Sequence, residues 1–91
     1  MTLDPRISMI TLGVADVAAA TAFYQRLGFR RSSASNDDVT FFHMKGTVLG
    51  LFGRDALAAD ADVEPTRPQS FEGVALAQNL SSRAEVDAAW A

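Results

Sequence analysis

A strand-like segment followed at once by a capped helix opens this chain, and that joint restricts the folds it can adopt. Residues 7–14 are strand-like, and residues 16–29 read Asp-Val-Ala-Ala-Ala-Thr-Ala-Phe-Tyr-Gln-Arg-Leu-Gly-Phe. Asp16 can accept a hydrogen bond from the free N–H groups of the first helical turn, and Gly28 can take up the left-handed conformation that ends a helix. We therefore predict a β-α unit whose helix spans residues 17–26.

One side of this helix is predicted to be apolar. The apolar positions follow the i, i+3, i+4, i+7 spacing of a helix that lies against other structure, and they are Ala20, Phe23, Tyr24 and Leu27. The two adjacent aromatic residues could instead form a ligand box, but their helical spacing favours packing on a sheet.

Three more strands are predicted after the helix. Residues 29–35 form an extended run, and the polar residues 35–38, Ser-Asn-Asp-Asp, supply turn formers. Residues 39–44 and 47–52 flank Lys45-Gly46, where glycine tolerates the positive φ of a tight hairpin turn. That turn sets the pairs of the hairpin, which are Phe41 with Gly50, Phe42 with Leu49, and His43 with Val48.

The segment after this hairpin is predicted to be a connector. Residues 53–70 are mostly polar, with one short helical stretch at residues 55–59. Their acidic side chains lack the central glycine and the terminal glutamate of a calcium loop, and we assign them to solvent: Asp60, Asp62 and Glu64.

A second unit is predicted to begin after the connector. Residues 71–78 have the composition of a new strand, and residues 81–90 have that of a helix. Ser82 is in the position of a helix cap, and Glu85 follows three residues later, as in a capping box.

The Asp-led helix carrying Phe23-Tyr24, and the Leu27-Gly28-Phe29 that ends it, resemble the glyoxalase/bleomycin-resistance/extradiol-dioxygenase group, the vicinal oxygen chelate superfamily. The resemblance implies an α+β fold in one domain, with a βαβββ module at residues 1–53, a connector at 54–70 and the start of a second module at 71–91. It also implies further strands after Ala91, supplied by a longer polypeptide, which we favour, or by a neighbouring copy.

The resemblance also indicates where a metal would bind. Enzymes of the superfamily hold a divalent ion with a His at the start of the first strand of each module and a Glu near the end of its fourth strand. Those positions fall on Met9 and Gly50 here, and the first strand of the second module offers Gly73 or Val74. None of these residues is a ligand for a hard cation, so we predict no bound metal, no other cofactor and no catalytic residue.

Strand alternation, with Gly50 assigned by resemblance to the concave side, predicts one surface that we call the cup face. It consists of Met9, Thr11, Phe41, His43, Val48, Gly50 and Phe52. The opposite face, toward the helix, carries Phe42, Leu49 and Leu51. The cup face is apolar except for Thr11 and His43, which favours a small apolar or aromatic molecule as the ligand.

Two polar features have both a functional and a structural interpretation. His43 is the only histidine and could act as a general base, but no carboxylate in the same hairpin orients it, and a structural role is favoured. Asp37 and Asp38 could form a paired-carboxylate site, but turn chemistry explains them.

Composition limits the classes of partner that we expect for this protein and the compartment in which we expect it. The net charge is −3 with no cluster of Lys or Arg, which argues against nucleic acid. Cysteine is absent and no apolar run approaches the ~20 residues of a membrane span. Since the start also lacks the order of a signal peptide, we expect a cytoplasmic protein. Exposed sheet edges and apolar faces favour a homodimer.

Three functions remain open from the sequence. The first, which we favour, is a metal-independent protein of the bleomycin-resistance type that sequesters a small molecule. The second is a metal-dependent glyoxalase or dioxygenase-type lyase or oxygenase. In that case its metal ligands are at positions of this sequence other than those aligned above, or they lie beyond residue 91. The third is a structural or regulatory dimer whose cup is filled by its own side chains.

Overall fold

A three-stranded mixed sheet organises the chain, in a computed structural model that describes residues 2–64 and 74–89. The elements are β1 (Met9–Val14), α1 (Val17–Arg26), β2 (Val39–His43), β3 (Val48–Gly53), α2 (Arg54–Asp60) and α3 (Arg83–Ala89). The strand order is β1-β3-β2, with β3 parallel to β1 and antiparallel to β2. The α+β class predicted from the sequence is confirmed.

Both ends of α1 are where the sequence places them. The Asp16 carboxylate accepts a hydrogen bond from the Ala19 N–H at 3.0 Å, which satisfies a donor that the first turn leaves free. Gly28 follows the last turn with φ of 99°, a left-handed conformation that side chains with a Cβ rarely adopt. Local sequence thus sets the length of this helix.

The core lies between α1 and the sheet. Phe42, Leu49 and Leu51 are buried, on the face that strand alternation assigned to the helix, and Ala20 and Tyr24 of α1 pack against them. The Tyr24 and Phe42 rings lie 5.9 Å apart between centroids. Burial of these side chains is the main contribution that holds α1 on the sheet.

The predicted apolar stripe of α1 is wrong in two of its four members. Phe23 is 48% exposed and Leu27 is 59% exposed. Thr21 is buried in their place, since its hydroxyl oxygen lies 2.7 Å from that of Thr40 on β2. The helix is therefore rotated toward a polar contact that hydrophobic spacing does not reveal.

The β2-β3 hairpin has the predicted register. Phe41 pairs with Gly50, Phe42 with Leu49, and His43 with Val48. The Met44 N–H donates to the Thr47 carbonyl at 2.8 Å, and Gly46 has a φ of 89°. A two-residue turn at Lys45-Gly46 therefore fixes which side chains share a face.

The strand predicted at residues 29–35 is reduced to one bridge, between Arg31 and Phe42. The Ser32 N–H donates to the Phe41 carbonyl at 2.7 Å, but the chain then turns, with the Ser35 N–H donating to the Ser32 carbonyl. The Ser35 hydroxyl accepts from the Phe41 N–H at 2.9 Å. This side chain takes the donor that a longer strand would have paired with.

The polar turn before β2 is confirmed. The side-chain oxygen of Asn36 accepts from the Asp38 and Val39 N–H groups at 2.8 and 3.0 Å. Asp37 and Asp38 are exposed, as expected of turn residues.

Of the strand and the helix predicted for the second unit, only the helix is found in the described residues. Residues 74–78, the described part of the strand predicted at 71–78, are not a strand, because no described strand lies beside them to supply the hydrogen bonds. Residues 71–73 and Trp90 lie outside the described residues. α3 begins after Ser82, whose hydroxyl accepts from the Glu85 N–H at 3.2 Å.

The Thr21–Thr40 contact supports an asymmetric prediction. Thr21 donates its only hydroxyl hydrogen to the Val17 carbonyl at 2.7 Å, so Thr40, which is 2% exposed, must donate to Thr21. We expect Thr21→Val to lower the free energy of unfolding by about 1–3 kcal/mol, since it leaves a buried donor without an acceptor.

The matched variant Thr40→Val removes that donor and should cost less than about 1 kcal/mol. Urea denaturation of both variants and of the double variant measures the difference. Equal losses for the two single variants would show that the assigned direction of this hydrogen bond is wrong.

Candidate functional site

Gly50 forms the floor of the cup face. A Cβ built on Gly50 would lie 3.5 Å from two ring atoms of Phe41 and 3.5 Å from the Thr11 hydroxyl oxygen. These three residues, one from each strand, therefore share one face. Gly50 is itself buried, and a Cβ there would be in ordinary van der Waals contact with both neighbours.

Aromatic and aliphatic residues surround this floor. The rings of Phe41 and Phe52 meet edge to face, with centroids 6.2 Å apart, and both side chains are half-buried. Met9 and Val48 are partners in the parallel β1-β3 ladder, and Met9 is 47% exposed. The seven residues predicted for the cup face thus lie at positions of the sheet that share one side.

One end of the cup face is closed by α2. Gly13 has the same strand parity as Thr11, and a Cβ built on it would lie 3.3 Å from both the Arg54 Cα and the Leu57 Cδ2. The helix stretch predicted at 55–59 is confirmed as part of α2, but its position over the sheet was not predicted. The signal for it was Gly13, since a glycine inside a strand often marks a close approach of another backbone.

The other end is polar. His43 is exposed at the end of β2, and its Nε2 lies 3.2 Å from the Ser32 hydroxyl oxygen. Ser32 also accepts from the Ala34 N–H at 3.1 Å. Sequence reasoning missed Ser32, because the strand predicted at 29–35 gave it no separate role. The pair is a hydrogen-bonding group at the open end of an apolar surface.

The residues present do not fit a divalent metal. In residues 2–64 and 74–89, no group of three or more His, Asp or Glu side chains is placed to hold an ion. On the cup face, Met9 offers only a thioether, Gly50 has no side chain, and the one imidazole contacts a hydroxyl. Hard cations take oxygen ligands and zinc takes several nitrogen, oxygen or thiolate ligands together, so we derive no chemical step through a metal.

The arrangement also gives His43 little support as a general base. Across the described ranges its side-chain partner is a hydroxyl, and no carboxylate is recorded against its ring. Catalytic histidines are normally oriented by a carboxylate or a carbonyl on the second ring nitrogen. The arrangement is better suited to binding a polar group than to moving a proton.

Comparisons with known proteins agree with the α+β fold described above. The family model described as Glyoxalase/Bleomycin resistance protein/Dioxygenase superfamily matches residues 6–91. The crystal structure of a glyoxalase-related enzyme from Fulvimarina pelagi is similar, with a TM-score of 0.80 and 32% sequence identity. The alignment covers 94% of this chain and 60% of that one. A search of functionally curated proteins gave no match.

Proposed function

The chain belongs to the glyoxalase/bleomycin resistance protein/dioxygenase superfamily, and from this premise we propose that it binds a small aromatic molecule on the cup face without a divalent metal. The observation that carries the proposal is Gly50, which puts no side chain between Phe41 and Thr11 at the position where the resemblance puts an acidic ligand. A cation needs donors at that position, whereas an aromatic molecule can rest on the apolar side chains around it.

The residues around Gly50 favour an aromatic ligand. Phe41 and Phe52 already meet edge to face, and a third ring can contact them in the same way, with about 0.5–1.5 kcal/mol per pair beyond the area buried. Met9 adds a flexible thioether side chain, which adapts to the shape of a ligand and makes favourable contacts with rings. Binding would then depend on burial of apolar surface rather than on coordination.

A metal-dependent enzyme is the second candidate, and one observation favours it. The similar crystal structure is that of a glyoxalase-related enzyme, and this chain spans 60% of the length of that protein chain. In this alternative the metal ligands come from outside the described residues, and the cup face of this chain supplies only the apolar wall beside the substrate.

A self-filled cup is the third candidate, since the contact between Phe41 and Phe52 would also occur in that case. Both rings keep part of their surface exposed. The energetic question is whether the rings separate for a ligand or only pack on each other, and a direct titration answers it.

We expect N-phenylnaphthylamine, a neutral fluorescent aromatic probe, to bind saturably with one site per chain and with the same affinity before and after dialysis against EDTA. Elemental analysis of the untreated protein should give far less than one divalent metal per chain. Stoichiometric metal, with probe binding lost after EDTA, would favour the enzyme; absence of saturable binding would favour the self-filled cup.

We also propose a homodimer. In the described ranges β1 lies at an edge of the sheet, and an unpaired edge with exposed apolar neighbours such as Ile10 is a template for association. Light scattering after gel filtration should give twice the chain mass, and a monomer at micromolar concentration would contradict this.

In residues 2–64 and 74–89, no helix has the length and apolar character needed to cross a membrane.

A further inference from the structure

We propose that the ligand of the cup face is an aromatic carboxylate, with its carboxylate held by His43 and Ser32; this rests on the function proposed above. The observation is the contact of 3.2 Å between the His43 Nε2 and the Ser32 hydroxyl oxygen, at the end of the cup face that α2 leaves open. These two hydrogen-bonding side chains lie outside the hydrophobic core.

The hydrogen bonds of this pair leave a donor for a ligand. The Ser32 oxygen already accepts from the Ala34 N–H at 3.1 Å, so its hydroxyl hydrogen can be donated outward. Within residues 2–64 and 74–89, no partner is recorded for the Nδ1 of His43. When Nε2 carries the ring hydrogen, it donates to Ser32, and the Ser32 hydroxyl can donate to an anion. When Nδ1 carries it, Nδ1 can donate to an anion and the Ser32 hydroxyl donates to Nε2. Either tautomer therefore leaves one donor for an anion, and bonds from N–H or O–H to a carboxylate are stronger than bonds between neutral groups.

The charges near this end have one sign. All charged residues in the segments 28–36 and 39–48, which contain the bridge segment and the turn of the hairpin, are basic. The antiparallel bridge of Arg31 with Phe42 brings Arg30 beside His43, and Lys45 follows in the turn.

The acidic groups on the segments that flank β1 and β2 are paired with a cation or lie at the strand ends opposite His43. Asp4 lies 3.8 Å from Arg6. Asp37 and Asp38 precede β2, and thus lie at the opposite end of that strand from His43. The field at the His43 end therefore favours an anion over a cation.

The distance between Phe41 and His43 along β2 sets the size of the proposed ligand. Phe41 and His43 are two residues apart on β2 and therefore about 7 Å apart along the strand. A ring system placed over Gly50 and against Phe41 reaches that distance when its carboxylate is attached to a bicyclic or a substituted single ring. Small acids such as acetate have no ring to place on the floor.

The test compares naphthoate with naphthamide, which has the same ring and shape but no charge. We expect calorimetry on the full chain to give about tenfold or more tighter binding of naphthoate. His43→Gln should reduce this preference to less than about twofold, mainly by weakening the binding of naphthoate, and Arg30→Gln should reduce it in part.

Arg26→Gln is the matched control, because Arg26 is an exposed basic residue in the last turn of α1 and should leave the preference unchanged. If naphthoate and naphthamide bind equally, this inference is wrong but the proposed function stands. If neither binds, the proposed function itself fails. A preference for naphthoate that survives both His43→Gln and Arg30→Gln would place the carboxylate elsewhere.

Discussion

Phe42→Ala is expected to lower the free energy of unfolding by about 3–5 kcal/mol, which is a large part of the stability of a small domain. Phe42 is fully buried, and its ring meets those of Tyr24 and Phe29 at centroid distances of 5.9 and 6.0 Å. Truncation would leave a cavity between α1 and the sheet that neither element can close. Urea denaturation followed by circular dichroism measures the loss.

Phe23→Ala is the matched control for this prediction. Phe23 has the same side chain and touches the same Tyr24 ring, but it lies on the outer side of α1 and is 48% exposed. Its truncation should cost less than about 1.5 kcal/mol, since only part of its apolar area is buried. Comparable losses for the two variants would mean that α1 lies on the sheet by the predicted stripe after all.

Gly50→Leu is expected to weaken binding of N-phenylnaphthylamine by about 30-fold or more, which corresponds to about 2 kcal/mol. The Cβ itself is accommodated, because its nearest neighbours, Phe41 and Thr11, would be 3.5 Å away. The rest of the leucine side chain would extend past these neighbours into the position that we assign to the ligand ring, and an overfilled site costs about this much. Fluorescence titration gives the affinity.

Gly53→Leu adds the same side chain to the same strand at a position where a Cβ meets nothing within 4 Å. Gly53 has the opposite strand parity to Gly50, so this variant should bind the probe as the unmodified chain does. Thermal unfolding of both variants separates loss of the site from loss of the fold. Unchanged binding by a folded Gly50→Leu variant would remove Gly50 from the site.

The parts of the fold that follow from neighbouring residues could be predicted. The Asp16 cap, the left-handed Gly28 and the two-residue turn at Lys45-Gly46 each depend on a few adjacent residues. A turn of known length then fixes the pairing of its strands. The division of β2 and β3 into a core face and a cup face therefore follows from sequence.

The parts that depend on distant contacts could not be predicted. The rotation of α1 that exposes Phe23 is set by the hydroxyl contact between Thr21 and Thr40, nineteen positions away along the chain. The early end of the second predicted strand is set by the Ser35 side chain. Hydrophobic spacing contains neither contact, because both are made by polar side chains.

The candidate site shows the same division. Its apolar residues follow from strand parity once the resemblance assigns Gly50 to the concave side, whereas its two ends do not. The approach of α2 to Gly13 and the contact of Ser32 with His43 each join segments whose relative position is set by packing. In our proposal these two ends set the size of the ligand and the polar group that it carries.

In our proposal the cup face binds an organic molecule where the enzymes of the superfamily hold a metal. Amide NMR spectra of the isotope-labelled full chain can distinguish the two, with naphthoate and Mn²⁺ added in separate titrations. We predict that naphthoate shifts the signals of Phe41, Gly50 and Phe52, and that Mn²⁺ leaves these signals sharp. Selective broadening of Met9 and Gly50 by Mn²⁺, with no response to naphthoate, would contradict the claim.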